Sequence, residues 1–225
     1  MLATKQELML DRNKDIKDFV DEFTDGARNR NRYRREIEEI LKGLDNGLAL
    51  DQIRIYANRE FKPFEMEQIR LGLEHGLSVE QAGVYAKPEF SILQMEEIRT
   101  GLEHGLTIEQ VKVYANPEFK WPQMREVREG FESGLALEQV GYYAKPEFNS
   151  LQMQEIRKGF AEGLSMEQVK AYADPRDDFE KMAEIREGLK IGKYAVISPS
   201  EEKFNPMDFD LEKLTDIIEE EKNGK

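Results

Sequence analysis

None of the 225 residues is cysteine. Disulfides, thiolate metal sites and thiol nucleophiles are thereby excluded, and stability has to come from packing. Histidine occurs twice and tryptophan once. Metal-binding histidine spacings, glycine-rich phosphate loops and nucleophile elbows are all missing, so neither an enzyme nor a cofactor is expected. No apolar run approaches the roughly 18 residues of a membrane-spanning helix. The charged stretch from Met1 to Val20 lacks the apolar centre of a signal peptide, and a cytoplasmic chain with no membrane role is expected. Positive charge is in deficit, with 33 Lys and Arg against 46 Asp and Glu for a net charge of −13. Such a surface repels nucleic-acid backbones and anionic membranes and suits a basic protein partner.

What the chain does have is a repeat. Gly43, Gly72, Gly101, Gly130, Gly159 and Gly188 follow one another every 29 residues, and Gly47, Gly76, Gly105, Gly134, Gly163 and Gly192 keep step. Parallel columns run through Leu48, Leu77, Leu106, Leu135 and Leu164, and through Tyr56, Tyr85, Tyr114, Tyr143 and Tyr172. Internal periods of this size mark arrays in which each unit buries its apolar face only against its neighbours.

Each unit reads as two helices. Met95, Ile98 and Leu102 fall at i, i+3 and i+7, on one helical face, while Glu96, Arg99 and Glu103 lie elsewhere. Gly105 stands where a left-handed C-cap belongs, with Leu106 placed to fold back on the helix. Thr107 with Gln110, Ser78 with Gln81 and Ser165 with Gln168 match the capping box at the start of a second helix of about 9 residues, after a first of about 12. Asn116-Pro117 and Lys87-Pro88 close it. The fold expected is all-α, an α-solenoid of about 5.5 helical-hairpin repeats of 29 residues with helical terminal extensions. Residues 1–36 form an N-terminal helical segment, with a helix from about Lys5 to Phe23, a break at Asp25-Gly26 and a basic linker. The repeats occupy residues 37–193. Residues 194–225 form an acidic tail in which Phe209, Leu211, Leu214, Ile217 and Ile218 recur at helical spacing.

Candidate contact residues are those the stacking does not obviously use. Arg70, Arg99, Arg128, Arg157 and Arg186 supply one cation per repeat, a ladder able to follow phosphates or an acidic peptide. Pairing with Glu74, Glu103 or Glu132 four residues on is the competing structural use. His75 and His104 hold equivalent positions before the C-cap glycine, where Asn46, Ser133 and Glu162 stand in other units. That column reads as a tolerant surface site near a helix C-terminus, with a shared metal or a pH-sensitive pair as the sharper reading. Trp121 shares its column with Pro63, Ile92 and Ser150, and a lone bulky aromatic there suits either a partner anchor or local packing. The run Arg28, Arg30, Arg32, Arg34 and Arg35 is the one basic stretch, fit for an acidic partner or nucleic acid, or for a solvated linker.

The unit Gln-Met-x-Glu-Ile-Arg-x-Gly-Leu-Glu-x-Gly-Leu, with Glu-Gln-Val and Tyr-Ala-x-Pro-Glu-Phe following, resembles short tandem repeats of accessory proteins from integrative and conjugative elements and phages of Gram-positive gut bacteria. The resemblance covers residues 37–192 and carries no catalytic residues. It implies a mobile-element setting, in which such proteins serve conjugation or evasion of host defence. The leading expectation is a non-enzymatic, monomeric scaffold that binds a protein through its variable positions. An acidic inhibitor of a nucleic-acid-binding defence protein, such as a CRISPR or restriction nuclease, is the first alternative, and nucleic-acid binding through the arginine ladder the second.

Overall fold

The computed structural model describes residues 14–194, and these are all helical apart from turns. The acidic amphipathic stretch around Phe209, and the part of the N-terminal helix before Lys14, lie outside the described residues.

Helix α1 (Lys14–Thr24) precedes a short 3-10 turn (Ala27–Asn29). Five long helices of 12 residues follow one per unit: α2 (Arg34–Asp45), α4 (Pro63–Glu74), α6 (Ile92–Glu103), α8 (Trp121–Glu132) and α10 (Ser150–Ala161), with α12 (Phe179–Lys190) as a sixth. Short helices alternate with them: α3 (Leu50–Ile53), α5 (Val79–Tyr85), α7 (Ile108–Lys112), α9 (Leu137–Tyr143) and α11 (Met166–Lys170). Each long helix packs on the long helix of the next unit and on the short helix of its own. The apolar stripe makes the core: Met66, Met95, Met124, Met153 and Met182 are fully buried, as are the column tyrosines from Tyr56 to Tyr172.

Local chemistry sets the turns. Gly105 has φ +89°, and around it the Leu106 N–H donates to the Gly101 carbonyl (3.0 Å) and the Gly105 N–H to the Leu102 carbonyl (3.0 Å). This six-to-one and five-to-two pairing satisfies carbonyls that the end of α6 would otherwise leave open. The second helix then starts on a reciprocal cap. In α7 the Thr107 N–H donates to Gln110 Oε1 (2.9 Å) and the Gln110 N–H to Thr107 Oγ1 (3.2 Å), with equivalent pairs at Ser78 and Ser165.

The length of the second helices differs from the sequence expectation. The second helices run four to seven residues instead of nine, because in α3 and α7 the last turn tightens: the Tyr56 N–H bonds to the Ile53 carbonyl and the Tyr114 N–H to that of Val111, both i to i−3. The inner glycines serve a side chain, since a Cβ at Gly43, Gly72, Gly101, Gly130 or Gly159 would overlap the hydroxyl of the column tyrosine in the same hairpin.

The two ends of the described residues differ from the units between them. At the start, α1 buries Ile16, Phe19, Val20 and Phe23, with the Arg54 guanidinium 4.9 Å above the Phe19 ring and Arg59 paired to Asp25 at 3.2 Å. Leu41, standing in the arginine column, is buried there. At the other end no column tyrosine follows α12, and the Tyr194 ring lies against Gly188 instead.

Candidate interaction surface

The arginine column faces the preceding unit. Arg70 Nε lies 2.9 Å from Glu39 Oε2, Arg128 Nε 2.9 Å from Glu97 Oε2, Arg157 Nε 2.9 Å from Glu126 Oε2 and Arg186 Nε 3.0 Å from Glu155 Oε2, each pair 31 residues apart. In the one unit that lacks the glutamate, Arg99 Nε takes Gln68 Oε1 at 3.2 Å. The i+4 glutamates complete the set, with Arg70 on Glu74 (2.8 Å), Arg99 on Glu103 (2.7 Å) and Arg128 on Glu132 (2.7 Å). Arg157, which has Ala161 four residues on, takes Glu129 instead (2.8 Å), and Arg186, which has Lys190 there, pairs with Glu162. Burial by itself would lower the Arg70, Arg128 and Arg186 pKa, but the hydrogen bonds to two carboxylates each hold them above the usual arginine value. These cations are committed to neighbouring units and form no free ladder.

A second polar seam runs beside the first. His75 Nδ1 lies 2.9 Å from Glu103 Oε1 and His104 Nδ1 2.8 Å from Glu132 Oε1, both partners one unit ahead. Asn46 makes the same reach to Glu74 (2.9 Å) and Glu162 receives Lys190 (3.0 Å). Both histidines are half-exposed and each is tied to its own glutamate. Among the described residues no group of three or more His, Asp or Glu side chains is placed to hold a metal ion.

A glutamine clamp, not anticipated from the sequence, joins three of the long helices, α6, α8 and α10, to the turn after the next short one, whereas α4 has Glu65 at this position, accepting from the Lys62 N–H (2.8 Å). Gln123 Oε1 accepts from the Lys120 N–H (2.7 Å), while its Nε2 donates to the Pro146 carbonyl (3.1 Å) and the Phe148 carbonyl (2.6 Å). Gln94 and Gln152 repeat the arrangement. A carboxylate at this buried point would set negative charge against two carbonyl oxygens. Gln123→Glu is therefore expected to cost about 2 kcal/mol at neutral pH, read as a lower urea midpoint. An unchanged midpoint would show that the clamp contributes nothing.

What remains on the surface is an apolar row. Phe64, Leu93 and Leu151 hold the second position of α4, α6 and α10 and are 61%, 45% and 46% exposed, with half-exposed Pro122 at that position of α8. Trp121, beside Pro122, is half-buried under the Arg125 guanidinium, 4.8 Å from its ring. Trp121 thus stands beside a row that carries one apolar side chain in each of four consecutive units. Of the basic run, Arg30 is paired with Asp21 (2.6 Å), Arg34 lies 3.4 Å from Glu38 and Arg32 stacks on Tyr33. Arg28 and Arg35 are exposed.

Among the described residues no helix is long and apolar enough to cross a membrane. Comparison with protein-family models, curated proteins and solved structures returns no match.

Proposed function

We propose that the chain is an α-solenoid acting as a non-enzymatic scaffold for a protein partner. The observation that carries this reading is the row of Phe64, Leu93, Pro122 and Leu151. In four consecutive units its members stay apolar while their identity changes, and Phe64, Leu93 and Leu151 stand in solvent, where stacking does not require them. Bulky apolar anchors at regular spacing along a rigid array suit an extended protein surface. Direct binding of nucleic acid is not carried forward, because its arginines are engaged between units.

The test is capture from host cells with the tagged full chain and with a variant carrying Phe64→Ser, Leu93→Ser and Leu151→Ser. Exposed substitutions of this kind shift stability by about 0.5 kcal/mol or less each, so the variant should stay folded by circular dichroism. A partner recovered with the unaltered chain is expected to fall at least about tenfold with the variant, a loss of about 1.4 kcal/mol of binding. Equal recovery would defeat the proposal.

The acidic-inhibitor reading keeps one observation in its favour. Asp51, Glu80, Glu109, Glu138 and Glu167 form an exposed row of one carboxylate per unit. If the captured partner were a nuclease, the chain would have to lower its nucleic-acid affinity in competition assays.

A further inference from the structure

The short helices are of two kinds, and the kinds alternate. Helices α5 and α9 run seven residues, whereas α3, α7 and α11 run four or five. Within the first kind stands a glycine, Gly83 or Gly141, at the position that holds Arg54, Lys112 or Lys170 in the others. A glycine inside a helix costs about 1 kcal/mol relative to alanine. At Gly101 internal packing explains the glycine, but at Gly83 and Gly141 an added Cβ would meet nothing within 4 Å. The fold does not ask for either glycine.

Three more features travel with them. The leading apolar residues Val79 and Leu137 are 40% and 58% exposed, while Leu50, Ile108 and Met166 at the same position pack against the core. Glu80 and Glu138 have a glycine three residues on, where Arg54, Lys112 and Lys170 follow Asp51, Glu109 and Glu167. Two turns beyond each glutamate comes a lysine, Lys87 or Lys145, where the other units have Asn58, Asn116 or Asp174. Lys145 lies 5.2 Å over the Tyr142 ring and Lys87 5.8 Å over that of Phe90. Each strip therefore carries an exposed apolar residue and an anion at one end, a lysine seven residues on just past the helix end, and between them an exposed glycine that leaves the backbone open.

We propose that residues 79–87 and 137–145 are two equivalent docking sites for an amphipathic helix of a protein partner, one that sets an apolar side chain on Val79 or Leu137 and carries a cation and an anion two turns apart. The partner's cation pairs with Glu80 or Glu138, its anion with Lys87 or Lys145, and the glycine lets its backbone approach closely. Two units separate the sites, or about 20 Å at ordinary helix spacing, so one chain receives two copies of the same element. The inference rests on the scaffold reading and names a second surface and the chemistry of its ligand.

The test uses a phage-displayed library of random helical peptides selected on the full chain, followed by calorimetry with the enriched peptides. Enrichment of peptides with a cation and an anion seven residues apart around apolar positions is expected, with two bound per chain. Gly83→Lys and Gly141→Lys each copy what Lys112 and Lys170 already are in the sister units, so both variants should fold with stability at least equal to that of the unaltered chain. Each single variant should bind one peptide and the double variant none, and exchanging the cation and anion in the peptide should weaken binding at least about tenfold. Failure to enrich such peptides, or two bound per chain in the double variant, overturns the proposal. A cellular partner lost from the Phe64, Leu93 and Leu151 variant but kept by the double lysine variant would sustain the scaffold reading and sink these sites.

Discussion

Gly101→Ala is expected to destabilise the protein by about 3 kcal/mol, although the same exchange in an ordinary helix interior stabilises by about 1 kcal/mol. The added methyl group would overlap the Tyr114 hydroxyl, and it has nowhere to go. Leu106 Cδ1 stands 3.2 Å from the methyl position on another side, and the tyrosine ring is fully buried. The cure follows from the same geometry. Tyr114 Cζ is 3.4 Å from the methyl position, an ordinary van der Waals distance, so removing only the oxygen makes room. Tyr114→Phe by itself should cost little, because this hydroxyl is buried without a hydrogen-bond partner, whereas Tyr143 and Tyr172 donate to the Glu126 and Glu155 carbonyls at 3.1 Å. Gly101→Ala with Tyr114→Phe is therefore expected to regain at least two thirds of the loss. A double-mutant cycle by urea unfolding should report a coupling of about 2 kcal/mol or more. Additive effects of the two substitutions would remove the hydroxyl from the explanation.

That pair also marks how far the sequence could be read. The glycine period, the left-handed cap at Gly105 and the Thr107–Gln110 capping box were legible because each is a short-range signal with a fixed spacing. The role of Gly101 was not, since its neighbour Tyr114 lies 13 positions along the chain and meets it only when the hairpin closes. The arginines were half legible: helical periodicity points from Arg70 to Glu74, but the partner at Glu39 lies 31 residues back, an offset set by how units stack. Gln123 escaped notice because its acceptors are backbone carbonyls, which no column of side chains records. Trp121 drew attention by its size. The more telling signal sat one position on, where Phe64, Leu93, Pro122 and Leu151 remain apolar at the exposed start of four helices.

Arg157→Met is expected to cost about 3 kcal/mol at pH 7 and progressively less as the pH falls. Its Nε and Nη2 both lie 2.9 Å from Glu126 Oε2, and Nη2 is 2.8 Å from Glu129. Methionine keeps much of the aliphatic stem and removes the charge, leaving a buried carboxylate without its cation, a change worth about 3–5 kcal/mol in fully buried pairs. Arg157 is partly exposed, which places the expectation at the lower end. The pH dependence follows from Glu126 itself. Burial already holds its carboxyl above the usual value, and Arg157 is the chief influence drawing it down, so the substitution raises it further. A carboxyl whose folded pKa lies above its unfolded one binds its proton more tightly in the folded state. The penalty is thus complete above the folded pKa and fades as the pH falls through it toward the unfolded value. Urea unfolding of both proteins at pH 7 and pH 5 should show the gap between them narrowing, and an equal gap at both would place the loss in packing instead. Adding Glu126→Gln to the variant should recover most of the loss at pH 7, because an amide already occupies this position in the chain, where Gln68 stands opposite Arg99.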